Sequence, residues 1–238
     1  MGVVFVITLA LRLPARVLTA LLPTDVVCDS PGGTVWSGSC AALRAGTLVI
    51  AGLSWQLHPG ALLHLQLAAD LTSEDPHGRA QARLGLDGAV QITALAATLA
   101  LPAGLALVPA GTSGNMHLAI DSARLEGGHL VAVQGRIALQ QLHIASPAAD
   151  LGGFELQFAP PDPNAGIVGQ PGIVGQLRDL DGPLSVIGVL QLSRTGSYDL
   201  EGSVAPKPDA GADLTQVLQL LGPPDAQGRR AFSIGGTL

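Results

Sequence analysis

Two cysteines are the residues of this chain best placed to form a covalent bond. Cys28 and Cys40 are separated by eleven residues rich in Gly, Ser and Pro, a composition that lets the chain bend back until the two Cα atoms lie roughly 4.4 to 6.8 Å apart. A disulfide that closes so short a loop contributes on the order of 3 kcal/mol to stability. The alternative is a pair of free buried thiols in a reducing compartment. The C-x-x-C spacing is absent, which argues against zinc binding and thiol redox chemistry.

Titratable residues elsewhere do not form a recognisable metal site. None of the six histidines falls in an H-x-H or HExxH arrangement, and surface or strand-edge positions explain them best. They are His58, His64, His77, His117, His129 and His143. Asp179 and Asp181 lie close together but lack the twelve-residue ligand spacing of a calcium loop, so turn chemistry is the better interpretation. Asp225 is a candidate to form an ion pair with Arg229 or Arg230 and so to fix the loop between them.

Catalytic signatures are missing as well. The sequence contains no G-x-S-x-G elbow, no S-x-x-K pair and no G-x-x-x-x-G-K-[ST] loop, which are the usual signatures of serine hydrolases, penicillin-recognising enzymes and nucleotide triphosphatases. We therefore predict a protein that is not an enzyme and has no catalytic, cofactor-binding or metal-binding residues. A hydrolase with an unrecognised site is a minor alternative.

The composition excludes nucleic-acid binding and indicates a turn-rich β protein. The 238 residues carry a formal net charge of -6, and the 12 Lys and Arg residues are scattered without a cluster. A basic patch, the electrostatic footprint of DNA or RNA binding, is therefore lacking. Only 13% of the residues are charged, whereas Gly reaches 31 and Pro 17. Such a chain is neither a helical bundle nor a solvated disordered segment.

Most of the chain shows the two-residue periodicity of half-buried β-strands. Polar and apolar residues largely alternate in the segments 62–67, 80–86, 116–121, 136–144 and 154–158. Turn residues (Gly, Pro, Asp or Asn) separate the strand candidates. Short intervals between successive candidates favour antiparallel hairpins. We therefore predict an all-β fold, a mainly antiparallel meander of about a dozen strands.

The one-sided alternation requires that one face of this sheet be covered. We expect a strongly curved sheet or half-barrel, or a sheet folded on itself. Helix is scarce: the best candidate is one short C-terminal helix over 213–221, followed by Gly222 and two prolines that end it. Segment 95–101 is compatible with helix or strand. Segments 184–192 and 198–204 are our candidates for sheet edges that recruit partners.

The N-terminus is predominantly apolar. Residues 3–11 are apolar apart from one threonine, and a second apolar run, 17–22, follows Arg12 and Arg16. A membrane span needs about 20 apolar residues, so this segment is either the C-terminal half of a signal anchor whose start is missing or an amphipathic segment on a membrane surface. Because no convincing cleavage site follows, we favour an uncleaved anchor over 1–23. A buried strand of a soluble protein is the remaining alternative.

An anchor followed by export agrees with the two cysteines, since disulfides form in oxidising compartments outside the cytoplasm. We therefore expect a disulfide between Cys28 and Cys40. The predicted organisation is an N-terminal inner-membrane anchor, 1–23, and one β domain, 24–238.

Seven segments rich in Gly, Pro, Trp and Leu occur in a characteristic order. They are 13–16 (LPAR), 28–40 (CDSPGGTVWSGSC), 53–59 (LSWQLHP), 182–184 (GPL), 196–202 (GSYDLEG), 220–230 (LLGPPDAQGRR) and 235–238 (GGTL). Together they resemble protein N of the type II secretion system (GspN), over nearly the whole chain. No catalytic motif is among them. The resemblance implies an anchor in the bacterial inner membrane with the bulk of the chain in the periplasm, and assistance to the export of folded proteins through an outer-membrane secretin.

Two functions of different classes are compatible with these features. The first is a non-enzymatic envelope component whose sheet edges contact other secretion components, either the secretin or the inner-membrane platform. The second is a periplasmic β module that holds a lipid or another hydrophobic ligand in a groove. The second hypothesis predicts that inward positions such as Leu63, Leu65, Leu67 and Ile120 line one continuous trough.

Overall fold

The computed structural model describes residues 12–19, 26–45, 48–101, 111–145, 148–160, 172–208, 210–219 and 221–237. They form two compact units, Met1–Ala97 and Thr98–Leu238, which are called the N-terminal and C-terminal units below. Strand β7 (Val90–Ala100) crosses the division. The prediction of an all-β, mainly antiparallel meander is confirmed.

In the N-terminal unit, consecutive strands mostly pair with each other. A short helix, α1 (Arg16–Thr19), precedes the strands, and a 3₁₀ helix (Pro59–His64) lies between β4 and β5. The strands are β1 (Val26–Asp29), β2 (Gly32–Gly33), β3 (Ser37–Ala45), β4 (Leu48–Leu57), β5 (Gln66–Ser73) and β6 (His77–Gly85), followed by β7. Their order in the sheet is β1-β3-β4-β5-β6-β7, and β2 pairs with β3.

The C-terminal unit is an uninterrupted antiparallel meander, in which every strand from β8 to β14 pairs with the next one along the chain. Its strands are β8 (Thr112–Glu126), β9 (His129–Ala145), β10 (Ala148–Phe158), β11 (Ile173–Asp181), β12 (Leu184–Leu192), β13 (Ser197–Pro206) and β14 (Arg230–Thr237). Helix α2 (Ala212–Gln219) lies between β13 and β14.

Alternation along β12 shows how this meander divides into two faces. Leu184, Val186, Leu190 and Leu192 are buried, whereas Ile187, on the other side of the strand, is 55% exposed. Residues directly opposite each other in an antiparallel pair project on the same face. The pairings Val186↔Val204 and Leu200↔Ile234 therefore extend one apolar face from β12 to β14.

Helix α2 covers one end of that apolar face. Leu214 and Leu218, one turn apart, are each 5% exposed and pack in the same cluster as Leu184, Val186 and Val204. The helix ends near Gly222, whose φ of 99° suits a residue without a side chain, and two prolines follow. The predicted C-terminal helix over 213–221 is therefore present, with slightly different ends.

Two glycines let the ends of β10 and β11 approach closely. Gly152 and Gly182 have φ values of 77° and 92°, a conformation that residues with a side chain rarely adopt. A Cβ atom on Gly182 would lie 2.5 Å from the Cα atom of Gly152. Larger residues at these positions would separate the two strands where the sheet turns.

Two local predictions are corrected or settled by the structure. The segment 62–67 was expected to be a strand because it alternates, but the 3₁₀ helix occupies Pro59–His64 and β5 begins only at Gln66. The ring of Pro59 fixes the φ of that residue near the helical value, and Leu65 ends the 3₁₀ helix with a φ of 57°. Segment 95–101, which was compatible with helix or strand, is almost entirely in β7.

The predicted sheet edges are also wrong. The segments 184–192 and 198–204 lie in β12 and β13, each of which has a hydrogen-bonded neighbour on both sides. In the described part of the C-terminal unit, β14 is the last strand of the meander. The edge was missed because its position depends on where the chain returns after helix α2.

The predicted anchor, 1–23, falls mainly outside the described residues. Only 12–19 of this segment are described, and they include the four-residue helix α1. Across the described ranges, no helix has the length and apolar character needed to cross a bilayer.

Candidate functional site

The apolar face of the C-terminal unit forms a half-open cavity of about 530 Å³. Side chains of strands β8 to β14 and of helix α2 line it, and all of them are apolar. They are Met116, Ile137, Leu139, Leu142, Ile144, Leu151, Phe154, Leu156, Leu177, Leu184, Val186, Leu190, Leu200, Val204, Leu214, Val217, Leu218, Leu221, Phe232 and Ile234. A cavity of this size and lining is suited to a small apolar ligand.

The lining also shows that the sheet of this unit is curved. In a flat sheet, β8 and β14 would lie about 29 Å apart, because neighbouring strands are about 4.8 Å apart. Met116 of β8 and Ile234 of β14 nevertheless line the same cavity. The strands therefore curl around their apolar face, and helix α2 covers part of the concave side.

Few charged groups lie at the borders of this face. Lys207 Nζ is 2.8 Å from Asp179 Oδ2, and Asp179 Oδ1 accepts a hydrogen bond of 2.8 Å from the backbone N–H of Val186. Arg230 Nη1 donates to the carbonyl oxygen of Gly222. These contacts hold the ends of β11 and β14 to the chain segments on either side of helix α2.

The Asp179 carboxylate is stabilised in its charged form. Burial by itself raises its pKa, but the hydrogen bond and positive charge of Lys207, together with the Val186 N–H, outweigh that effect. The pKa of Asp179 consequently lies below its ordinary value of 3.8. The pair is a structural clamp between β11 and the segment that follows β13.

The predicted ion pair of Asp225 is replaced by other contacts. Asp225 Oδ1 accepts hydrogen bonds from the backbone N–H groups of Gln227 and Arg229. The Arg229 guanidinium instead donates to the Ser203 Oγ at 2.8 Å and to the Ser203 carbonyl at 3.0 Å. The carboxylate therefore shapes the turn before β14, as its position in Asp-x-x-Gly favours.

Cys28 and Cys40 are joined by a disulfide in the structure, with their Cα atoms 5.7 Å apart. The bond links β1 to β3, which also pair directly through Asp29↔Ala42. Cys40 is 1% exposed and, with Ala15, is fully buried among the described residues of the N-terminal unit. The disulfide therefore fixes one end of this unit.

The histidines and the other acidic residues remain dispersed. Within the described ranges, no group of three or more His, Cys, Asp or Glu side chains is arranged to hold a metal ion. His58 Nε2 lies 2.7 Å from Asp70 Oδ2, and His117 Nδ1 lies 3.0 Å from the Thr98 Oγ1. Both contacts lie on exposed surface.

The predicted trough does not form from the residues proposed for it. Leu63, Leu65 and Leu67 are 87%, 65% and 43% exposed in the N-terminal unit, and Ile120, which is buried, is not among the cavity-lining residues. The actual lining residues carry the same alternating signal in β9 to β14. The alternation of polar and apolar residues shows which residues lie on the same face of a sheet. It does not show which face curls to form a cavity.

Comparison with known proteins identifies the family. A sequence model described as "Type II secretion system (T2SS), protein N" matches residues 25–233. This chain belongs to that family. The Type II secretion system protein N of Vibrio cholerae serotype O1 is 26% identical over 250 residues, which cover 99% of this chain and 95% of the relative. The protein of the same name from Aeromonas hydrophila is 26% identical over 233 residues, covering 93% and 89%.

No solved structure is significantly similar to this chain. The resemblance inferred from the seven sequence segments is confirmed by the family match, which supports a role in type II secretion and hence in protein transport.

Removal of the disulfide tests its contribution to the fold. We expect the double variant Cys28→Ser, Cys40→Ser to unfold with a free energy about 3 kcal/mol lower than the wild type, because the loop between the cysteines is no longer closed in the unfolded chain. Urea unfolding followed by circular dichroism measures the difference. Dithiothreitol should lower the wild-type stability by a similar amount and leave the double variant unchanged; an unaffected wild type would contradict the prediction.

The Asp179 clamp predicts a pH dependence. A carboxylate whose pKa is lowered on folding stabilises the protein above its unfolded pKa of about 3.9, and the contribution is lost as the pH falls through the folded pKa. We expect Asp179→Asn to cost about 1 kcal/mol of unfolding free energy at neutral pH. The difference from wild type should shrink below about pH 4. Asp121→Asn, at an exposed position of β8, is the control; a pH-independent difference for Asp179→Asn would count against the clamp.

Proposed function

We propose that this chain is a non-enzymatic, inner-membrane-anchored component of the type II secretion system. In this proposal residues 1–23 form the anchor and residues 24–238 form a β domain that faces the periplasm. Its role is to assist the export of folded proteins across the outer membrane through contacts with other components. The observation that carries the proposal is the family match over residues 25–233.

The cysteine pair supports the periplasmic assignment. Disulfides persist in oxidising compartments such as the bacterial periplasm and are rare in the cytoplasm. Cys28 and Cys40 are joined across two paired strands, and both cysteines of the chain are used in this bond. A β domain on the periplasmic side of an inner-membrane anchor accounts for this arrangement.

The end of the C-terminal meander supports contact with a partner. Strand β14 pairs with β13 on one side, and no strand in the described part of the unit pairs with its other side. A strand in this position presents backbone N–H and C=O groups that can pair with an added strand. Ala231 and Ser233 are exposed on it. We assign this edge to the contact with the secretin or with the inner-membrane platform.

Site-specific photo-crosslinking in cells tests the assignment. A photoreactive amino acid at Ala231 or Ser233 should give adducts that mass spectrometry identifies as secretin or platform proteins. The matched controls are Ile187 and Val189, which are also exposed but lie on the interior strand β12. The edge assignment is wrong if β12 and β14 probes capture the same proteins equally, and the assembly role fails if the β14 probes capture lipid alone.

A second function, binding of a lipid or another hydrophobic ligand, is favoured by a specific observation. The cavity of the C-terminal unit is lined by apolar side chains, and none of the described side chains fills it. Covering apolar surface of this kind with an apolar molecule is favourable, because it removes that surface from water. The two functions are compatible, because the cavity lies on the concave face whereas β14 offers its backbone edge.

A variant that fills the cavity tests ligand binding. Ile137→Trp places a larger side chain into the cavity from β9, where an aromatic residue is well tolerated in a strand. We expect the affinity for the neutral fluorescent probe Nile red to fall about tenfold or more, which corresponds to roughly 1.4 kcal/mol. Val174→Trp is the control, since Val174 is 51% exposed on the outer side of β11. Equal probe affinity in both variants would exclude the cavity as the binding site.

A further inference from the structure

We propose that the cavity of the C-terminal unit binds a single acyl chain and that Arg230 contacts the anionic head group attached to it. This inference rests on the proposal above that the cavity binds a hydrophobic ligand. It adds the class of ligand, a fatty acid or an anionic lipid with one chain inserted, and the residue that recognises its charged end.

The dimensions of the cavity favour a linear ligand. On β12 the lining residues extend from Leu184 to Leu190, six residue steps that span about 20 Å. One acyl chain of a membrane lipid covers half of the hydrocarbon core, or about 15 Å. The apolar lining along this strand is therefore long enough for one extended acyl chain.

The chemistry of the lining requires that any polar part of the ligand stay outside. The walls contain aliphatic and phenyl side chains together with one thioether, and no side-chain hydroxyl, amide or charge faces the cavity. A carboxylate or phosphate drawn inside would lose its hydration without gaining partners, at a large free-energy cost. The head group must therefore remain where the cavity meets solvent.

Arg230 is positioned at such a place. It lies opposite Val204 in the pairing of β13 with β14, so its side chain projects on the face of the sheet that Val204, Phe232 and Ile234 line. Its Nη1 donates to the carbonyl of Gly222. The residue before that glycine, Leu221, lines the cavity and is 44% exposed. The guanidinium is therefore held at the border between the apolar walls and the solvent.

Among the described cations near this face, Arg230 has hydrogen-bond donors left for an anionic ligand. Lys207, near the same face, is already paired with Asp179 at 2.8 Å, and Arg229 donates to Ser185 and Ser203 on the opposite face. Among the residues that the structure describes, none forms an ion pair with Arg230. A guanidinium has five N–H donors in a planar fork that matches a carboxylate or a phosphate. One N–H is used by Gly222, which leaves the others for a head group.

The test compares an anionic and a neutral ligand in one variant. Arg230→Gln removes the charge and keeps an N–H donor for the Gly222 carbonyl. We expect its affinity for the fluorescent fatty acid cis-parinaric acid to fall about tenfold, as for the loss of a charge-assisted hydrogen bond, while Nile red binding is unchanged. Arg230→Lys should recover part of the affinity. Arg178→Gln, which removes an exposed charge on the outer face of β11, is the matched control and should bind both probes as the wild type does.

The outcomes separate this inference from the function on which it rests. If Nile red binds in the cavity but Arg230→Gln leaves the affinity for cis-parinaric acid unchanged, the head-group contact is wrong and the hydrophobic-ligand function stands. If neither probe binds the wild type, both proposals fail. Competition by palmitate supports a fatty acid, and competition by lysophosphatidylglycerol supports a lipid phosphate. Equal competition by a sterol, a fused ring system, would overturn the assignment of an acyl chain.

Discussion

The structure of this protein depends on one constraint: long runs of strands carry apolar side chains on one side only, and that side has to be removed from water. In the C-terminal unit the meander achieves this by curling until residues of strands as distant as β8 and β14 line one space. Glycines at the tight contact between β10 and β11 permit the close approach that this arrangement requires. Helix α2 then covers one end of the concave face, with Leu214 and Leu218 as its main contacts.

The composition explains why covering the face does not fill it. Aromatic residues make up only 3% of the chain, and most of the lining consists of Leu, Val and Ile. Helix α2 has only eight residues and packs against one end of the face. Native interiors are packed nearly without voids, and the half-open apolar space of about 530 Å³ among the described residues is a departure from that packing. That departure is the physical basis for assigning a ligand to the concave face.

Polar groups define the borders of this face and not its interior. The charges of Asp179 and Lys207 neutralise each other in their ion pair. The partner of Arg230 is instead an uncharged carbonyl group. Membership of the type II secretion system protein N family gives these features a setting in the cell envelope, where lipids and secretion components are both within reach. The proposed lipid site on the concave face and the proposed partner contact at β14 use different parts of the same unit.

The sequence alone was sufficient for the fold class, the C-terminal helix and the family. Alternation in 136–144 and 154–158 correctly predicted strands, because the two-residue period is a local property of an extended backbone. The helix over 213–221 was also predictable, since a run of apolar residues ended by Gly and two prolines is a local signal. Alternation misled in 62–67, where Pro59 and the turn at Leu65 favoured a 3₁₀ helix instead.

The edge strand, the cavity and the position of Arg230 were decided by the tertiary structure. Which strand lies at an edge depends on the pairing of β13 with β14, two segments that helix α2 separates in the chain. The cavity depends on how strongly the sheet curls. That curvature accumulates from the twist between neighbouring strands and from close contacts over seven strands. In the sequence, Arg230 is simply one of two adjacent arginines in a turn. The pairing of Arg230 with Val204 in the sheet places Arg230 on the apolar face and Arg229 on the other face. The sequence does not give this register, and a shift of one residue would move every side chain of the strand to the opposite face.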